Sequence, residues 1–373
     1  MTKTGIFKLP IVIPNEKALE IFKLLSKVNM TMGIMKSEFR HSIVNKSIVS
    51  LFSLNESVQS TRIEGTQVTF NGILENIEKK NPSWQEIEVY NYQRALMQGL
   101  ELINNGYPIS TRLIKDLHKT LMQNARGTNS SGGEFRKIQN FIGPDSKIEH
   151  AVYIPVPANE IDEYMENLEF FINGNPHSSF RRFNKTDGYV FDENSATIIK
   201  IAIMHAQFES IHPFLDGNGR LGRILIALFA VKEKLVNSPV FLVSEELEKE
   251  RARYYDLLNG IRGNNPDWYS WLKFFIIACD RMANSLLKKL QKAETLAKDG
   301  LEQCKLESEK NIWLCTFSQP ITSVRNISNQ LSISQSTARK GLNKLVDLGL
   351  IYRTEDIKRN KRYHNYDLLR ILN

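Results

Sequence analysis

Cysteine is scarce in this 373-residue chain: Cys279, Cys304 and Cys315 are the whole set. Three is odd, and their spacing matches no metal site, so neither a disulfide scaffold nor a zinc centre is indicated. A reducing compartment suits such usage, and the expected location is cytoplasmic. Long uncharged apolar runs are also missing, which excludes a membrane-spanning helix of ordinary length. Met1 to Asn15 holds Lys3, Lys8 and only a short apolar patch, so it reads as mature protein rather than a signal peptide. There is no internal repeat and no low-complexity tract. What is present is ordinary globular usage, 42% hydrophobic and 24% charged, in a length that calls for two or three units. The net charge of +8 is unevenly placed. Residues 321–373 hold ten Lys/Arg against four Asp/Glu, so +6 falls there and +2 on everything before it.

Apolar spacing predicts a mainly α-helical chain. Helical patterns cover 16–38, 42–64, 85–105, 110–124 and 158–173. Gly65 is a candidate C-cap for the second, and Ser110 or Thr111 a candidate N-cap for the fourth. Residues 138–154 hold two short extended segments around a turn, which suggests a small β-hairpin. The stretch 175–194 is polar and loop-like and receives no role. A strong helical pattern runs from Ser195 to Glu209, breaks at His212-Pro213 and restarts near Gly217. Helices then continue to about residue 307. From 309 onward the reading is a helix over 321–330, a turn at 331–334, a helix over 335–348 and a basic hairpin. Lys358 to Arg362 form its tip, with Tyr363 and Tyr366 on the return strand. The expected divisions are 1–108, a helical region; 109–285, the core; 286–308, a linker; and 309–373, a winged helix-turn-helix.

The chemistry concentrates in His212-Pro-Phe-Leu-Asp-Gly-Asn-Gly-Arg-Leu-Gly-Arg223. Gly217, Asn218 and Gly219 permit a tight turn at the start of a helix, whose free N–H groups make an anion nest. Arg220 and Arg223 add two guanidinium forks suited to a polyphosphate. Asp216 is a hard oxygen ligand of the kind Mg²⁺ takes beside phosphates. His212 can accept a proton near neutral pH. The spacing and closing Glu of a calcium loop are missing. Base, metal ligand, nest and arginines within twelve residues outline a phosphoryl or nucleotidyl transfer site.

This segment resembles the Fic-family signature H-x-F-x-D/E-G-N-G-R-x-x-R at every defined position. His205-Ala-Gln-Phe-Glu209 upstream is similar to the family as well. The resemblance implies a helical core with a β-hairpin flap, and transfer of AMP from ATP to a Ser, Thr or Tyr hydroxyl of a protein. It implies His212 as the base and Asp216 as the Mg²⁺ ligand. Asn218 and the Gly217–Gly219 backbone would bind phosphate oxygens, Arg220 the β-phosphate and Arg223 the γ-phosphate. Phe214 reads as a packing anchor. Tyr254 and Tyr255 fall where the family contacts adenine, although a tyrosine pair on a helix also fits core packing. The flap would align a target strand by backbone pairing.

Ser60-Thr-Arg-Ile-Glu64-Gly65 resembles the family's inhibitory motif, S/T-x-x-x-E-G/N. A carboxylate there would form a bidentate pair with Arg223 and deny it to the γ-phosphate. Ser60 would contact the same phosphate site. For the C-terminal module, a helix bearing Arg339, Lys340 and Lys344 beside a basic wing suits DNA phosphates. A protein partner or a second copy of the chain, giving a homodimer, stays open. Three other activities stay open too: another nucleotide donor, AMP removal, and a DNA-binding regulator whose core only senses nucleotide.

Overall fold

The computed structural model describes residues 2–77, 81–125, 132–145, 147–183, 188–354 and 361–373. The chain divides into two compact units. One comprises residues 1–33, 56–67 and 83–283; the other comprises 34–55, 68–82 and 284–373.

At the centre of the first unit lie the helices Thr197–Ile211 and Asn218–Lys232, packed against each other. In the former, every residue from Ile198 to Ile211 is buried. A helix apolar on nearly all sides cannot lie on a surface, so other helices must enclose it. Ile161–Asn173 packs on Thr197–Ile211, and Trp84–Asn104 packs on Asn218–Lys232 and on Thr111–Leu121. Trp84–Asn104 starts with a full capping box, Ser83 Oγ accepting from the Glu86 N–H and Glu86 from the Ser83 N–H. Ser110 caps Thr111–Leu121 by accepting from the Leu113 N–H at 3.3 Å. The helix Asn45–Ile63 reaches this unit at Glu56, and Gly65 closes it with φ +95°.

Two local expectations change in this unit. The 175–194 stretch is not wholly loop: Tyr189–Phe191 forms a strand antiparallel to Ile11–Ile13, with Phe191 opposite Ile11. The hairpin at 138–154 is reduced to one antiparallel bridge, Ile142 to Tyr153, with a 3₁₀ turn at Ile148–His150 between. The other side of that strand, Tyr153–Ile154, pairs in parallel with Lys3–Thr4.

In the second unit, Glu307–Cys315 is followed by strand Ile321–Ser323, helices Val324–Leu331 and Gln335–Asp347, strands Tyr352–Arg353 and Arg362–His364, and helix Tyr366–Leu372. The Arg362–His364 strand lies between the other two, antiparallel to both. Ile321 thus opens a strand instead of a helix, because β-branched Ile321 and Thr322 pair with His364 and Tyr363. Tyr366 starts a helix capped by Asn365, and is not on the return strand. Of the expected wing tip at 358–362, residues 358–360 lie outside the described residues. Ile327, Ala338, Leu342 and Leu345 form the core here. Phe70–Asn76 belongs to the same unit, and Arg362 donates to the Glu75 carbonyl.

Gly300 lies under the indole of fully buried Trp313, whose Nε1–H donates to the Ala297 carbonyl at 2.9 Å. A Cβ at Gly300 would meet that ring at 2.3 Å. The Gly300→Ala variant should be less stable by about 1–3 kcal/mol through overpacking, seen as a lower denaturant midpoint.

Candidate active site

The two central helices meet at the 212–217 loop. His212 ends the first in a left-handed conformation, φ 50° and ψ 59°, its N–H donating to the Phe208 carbonyl at 3.0 Å. A non-glycine residue there is strained and must be held. The clamp is Arg136: its Nε donates to the His212 carbonyl at 3.0 Å, and its backbone N–H to the Pro213 carbonyl at 2.9 Å. Its Nη1 reaches the Ile138 carbonyl at 3.1 Å, tying the loop to the chain leading into the flap. Arg262 braces the preceding turn through Ser210 Oγ at 3.2 Å and the Glu209 carbonyl at 3.3 Å, and lies 4.1 Å over the Tyr153 ring.

His212 is half-buried, and its Nδ1–H donates to the Glu209 carbonyl at 3.3 Å. That hydrogen bond leaves the lone pair on Nε2. Burial, then the nearby Arg262 charge, pushes its pKa down to about 4. The imidazole is therefore neutral at physiological pH.

The loop itself is rigidly built. Asn218 is buried and spends its amide on Phe214, Oδ1 accepting from the N–H at 2.9 Å and Nδ2 donating to the carbonyl at 2.8 Å. One Nδ2–H and its backbone N–H are left for a ligand. Gly217 supplies φ +78° at the start of the helix. Phe214 stacks on His118 at 3.7 Å, and His118 Nε2–H donates to the Asp216 carbonyl at 3.0 Å while its Nδ1 accepts from the Gly133 N–H. Burial holds the His118 pKa down at about 4. The Asp216 side chain is 61% exposed. Its Oδ1 accepts from the Gly217 N–H at 2.6 Å.

Both arginines lie inside. Arg220 is 4% exposed, with Nη2 3.4 Å from Asp216 Oδ1 and Nη1 3.3 Å from Glu88 Oε1. Arg223 is 1% exposed and donates from Nε to Ser60 Oγ at 2.8 Å. Its Nη2 reaches the Ser60 carbonyl at 2.9 Å and Glu64 Oε1 at 2.6 Å. The Glu64 contact is thus single and not bidentate: Ser60 takes Nε and shares Nη2, and Nη1 has no hydrogen-bond partner. Ser60 grips Arg223 itself instead of lining a phosphate site. Burial would raise the Glu64 pKa, but the charge and hydrogen bond of Arg223 outweigh it and hold the carboxyl below its usual range. Gly219 makes room for this pair: a Cβ there would lie 2.3 Å from Glu64 Oε1.

The tyrosine pair divides. Tyr254 is buried, with its hydroxyl 2.9 Å from His205 Nε2. Tyr255 is 41% exposed and donates to the Ile63 carbonyl at 3.4 Å, at the end of the Asn45–Ile63 helix. Sequence reasoning missed Arg136, Arg262, Glu88 and Glu56. Glu56 lies four residues before Ser60, accepts from Tyr92 and Ser244, and is pushed up to about 7 by burial. A buried carboxylate one helical turn from Ser60 was the available signal.

Comparison with known proteins matches residues 108–230 to the Fic/DOC family and residues 22–101 to the Fic/DOC family N-terminal region. Protein adenylyltransferase Fic of Drosophila grimshawi is 24% identical over 164 residues, which is 44% of this chain and 26% of that protein. A probable protein adenylyltransferase of Aquifex aeolicus (strain VF5) is 24% identical over 201 residues, 52% of this chain and 53% of that one. The chain therefore spans a quarter to a half of the length of these relatives. Among solved structures, a Fic family protein from Desulfovibrio desulfuricans G20 aligns with a TM-score of 0.53 at 19% identity, covering 92% of this chain and 95% of that chain. Fic-1 from C. elegans aligns with a TM-score of 0.53 at 18% identity, covering 74% of each. These two share the fold. With one match on the N-terminal helices and another on the core that bears the loop, the chain belongs to the Fic/DOC family.

Proposed function

We propose that this chain is an autoinhibited protein adenylyltransferase, which moves AMP from ATP to a Ser, Thr or Tyr hydroxyl of a protein. The observation that carries the reading is Arg223, held at 2.6 Å by Glu64 inside an otherwise assembled anion-binding loop. In the reaction, the target hydroxyl oxygen attacks the α-phosphorus while His212 Nε2 takes its proton. The bond from that phosphorus to the oxygen bridging to the β-phosphate breaks, and pyrophosphate leaves. The amides at the start of Asn218–Lys232 cradle the phosphate chain, with Arg220 on its β and Arg223 on its γ group. The exposed Asp216 carboxylate fits a magnesium ion, which takes one or two carboxylates and completes its shell with phosphate oxygens and water. A bound magnesium ion would offset phosphate charge.

In the resting state Glu64 stands where the γ-phosphate would be received. ATP then binds with its α-phosphorus turned from in-line attack, and displacement of about 1 Å suffices for a 100-fold loss. Of the tyrosines, the exposed Tyr255 is the better adenine neighbour and Tyr254 its support. The second unit reads as a winged helix, and exposed Arg339, Lys340 and Lys344 along Gln335–Asp347 favour DNA as its ligand. No helix among the described residues is long and apolar enough to cross a membrane.

The test is label transfer from α-labelled ATP to protein by the Glu64→Gly variant, alone and in lysate, with unlabelled GTP, CTP and UTP as competitors. Label competed by ATP alone supports the reading; label displaced by another nucleotide points to a different donor. A pH profile follows from His212. Its folded pKa lies below its usual value, so the base form is present above about pH 4. For Glu64→Gly, kcat/KM should show no loss of this base between pH 8 and 6, and its acidic limb should approach pH 4.

A further inference from the structure

Arg220 carries a charge in a nearly closed site, and its loop supplies only the 3.4 Å contact from Asp216. Its Nε has no partner. A buried guanidinium needs a counter-charge, and a long side chain needs a second fixed point to hold one orientation. Both come from a residue distant in sequence. Glu88, 7% exposed on the Trp84–Asn104 helix, places Oε1 at 3.3 Å from Arg220 Nη1. Its other oxygen accepts from Thr66 Oγ1 at 3.0 Å. Thr66 is buried and anchored in turn by its own N–H to the Thr61 carbonyl at 3.2 Å. Arg220 is therefore flanked by two carboxylates, Asp216 at Nη2 and Glu88 at Nη1, while neither Nε nor Nη1 has a hydrogen-bond partner of its own.

We propose that Glu88 is a positioning residue: it orients Arg220 toward the β-phosphate of the nucleotide, and Thr66 fixes the carboxylate that does so. The proposal rests on the nucleotide reading above. Glu88 touches no phosphate itself, so its effect passes through Arg220 and appears only with ligands that possess a β-phosphate.

Binding of ATP, ADP and AMP to the full chain by calorimetry tests this in a Glu64→Gly background, with added Glu88→Gln, Thr66→Val, Arg220→Ala and the Glu88→Gln/Arg220→Ala pair. Glu88→Gln should weaken ATP and ADP by about tenfold or more while AMP changes less than about twofold. Thr66→Val should act in the same direction and less strongly. With Arg220→Ala already present, Glu88→Gln should add nothing, the signature of two residues acting as one. Equal weakening of all three nucleotides, or a lowered melting temperature with unchanged ATP-to-AMP preference, would show a merely structural role and overturn the proposal. So would unchanged ADP affinity, or full additivity with Arg220→Ala. The binding readout needs no turnover: if Glu64→Gly binds ATP yet transfers no AMP, the reading of the reaction fails and this test still runs.

Discussion

Replacing Glu64 by glycine should raise AMP transfer by about 100-fold or more over the unaltered chain. The reason lies in how Arg223 spends its donors. Ser60 takes Nε through Oγ and shares Nη2 through its carbonyl, and these contacts remain in Glu64→Gly. What disappears is the carboxylate at 2.6 Å, so the guanidinium keeps its orientation and gains an open face. Ser60→Ala should release the brake less, because Glu64 stays and the backbone carbonyl still accepts. Release has a cost: Arg223 is 1% exposed and loses its counter-charge. The variant should therefore melt at a lower temperature without nucleotide, and regain more on adding ATP than the unaltered chain does. Initial rates with α-labelled ATP and melting curves with and without ATP check both halves.

Adding His212→Ala to Glu64→Gly should lower the transfer rate by about 100- to 10,000-fold and leave ATP affinity nearly unchanged. His212 is placed by its neighbours and not by phosphate contacts. Arg136 holds its carbonyl, and Glu209 accepts from Nδ1 so that Nε2 keeps its lone pair. Loss of the side chain removes the proton acceptor while leaving the amides of the loop where they are. A nucleotide-sensing regulator would behave otherwise, since its response to ATP would survive His212→Ala. Single-turnover label transfer beside calorimetric ATP binding separates the two.

The 212–223 loop and the Ser60–Glu64 segment were readable in the sequence because their patterns are local. Twelve consecutive residues hold the candidate base, the carboxylate, the nest and both arginines, and Glu64 follows Ser60 by four residues, just past the end of the Asn45–Ile63 helix. Thr111–Leu121 was readable for the same reason, its burial at 113, 114, 117, 118 and 121 following a 3.6-residue period, and the central helices showed as long apolar runs. What was hidden depends on distant partners. Arg136 and Arg262 look like surface cations until the fold brings them to the carbonyls of 209–213. Glu88 sits in a helix of ordinary polarity, and only tertiary packing sets it beside Arg220. The strands are two or three residues long and pair with remote segments, Ile11–Ile13 with Tyr189–Phe191 and Ile321–Ser323 with Arg362–His364, so no periodicity could mark them. Asn218 shows a different gap: the residue type suits a phosphate, but Oδ1 and one Nδ2–H already pair with Phe214.

The most direct test of the account compares α-labelled with γ-labelled ATP in the unaltered chain, Glu64→Gly, and Glu64→Gly/His212→Ala. The account predicts α label on protein from Glu64→Gly, little from the other two, and γ label from none, because the γ-phosphate leaves in pyrophosphate. Protein-bound γ label would mean phosphoryl transfer, and equal α label from the unaltered chain and Glu64→Gly would mean that the Arg223–Glu64 pair is no brake.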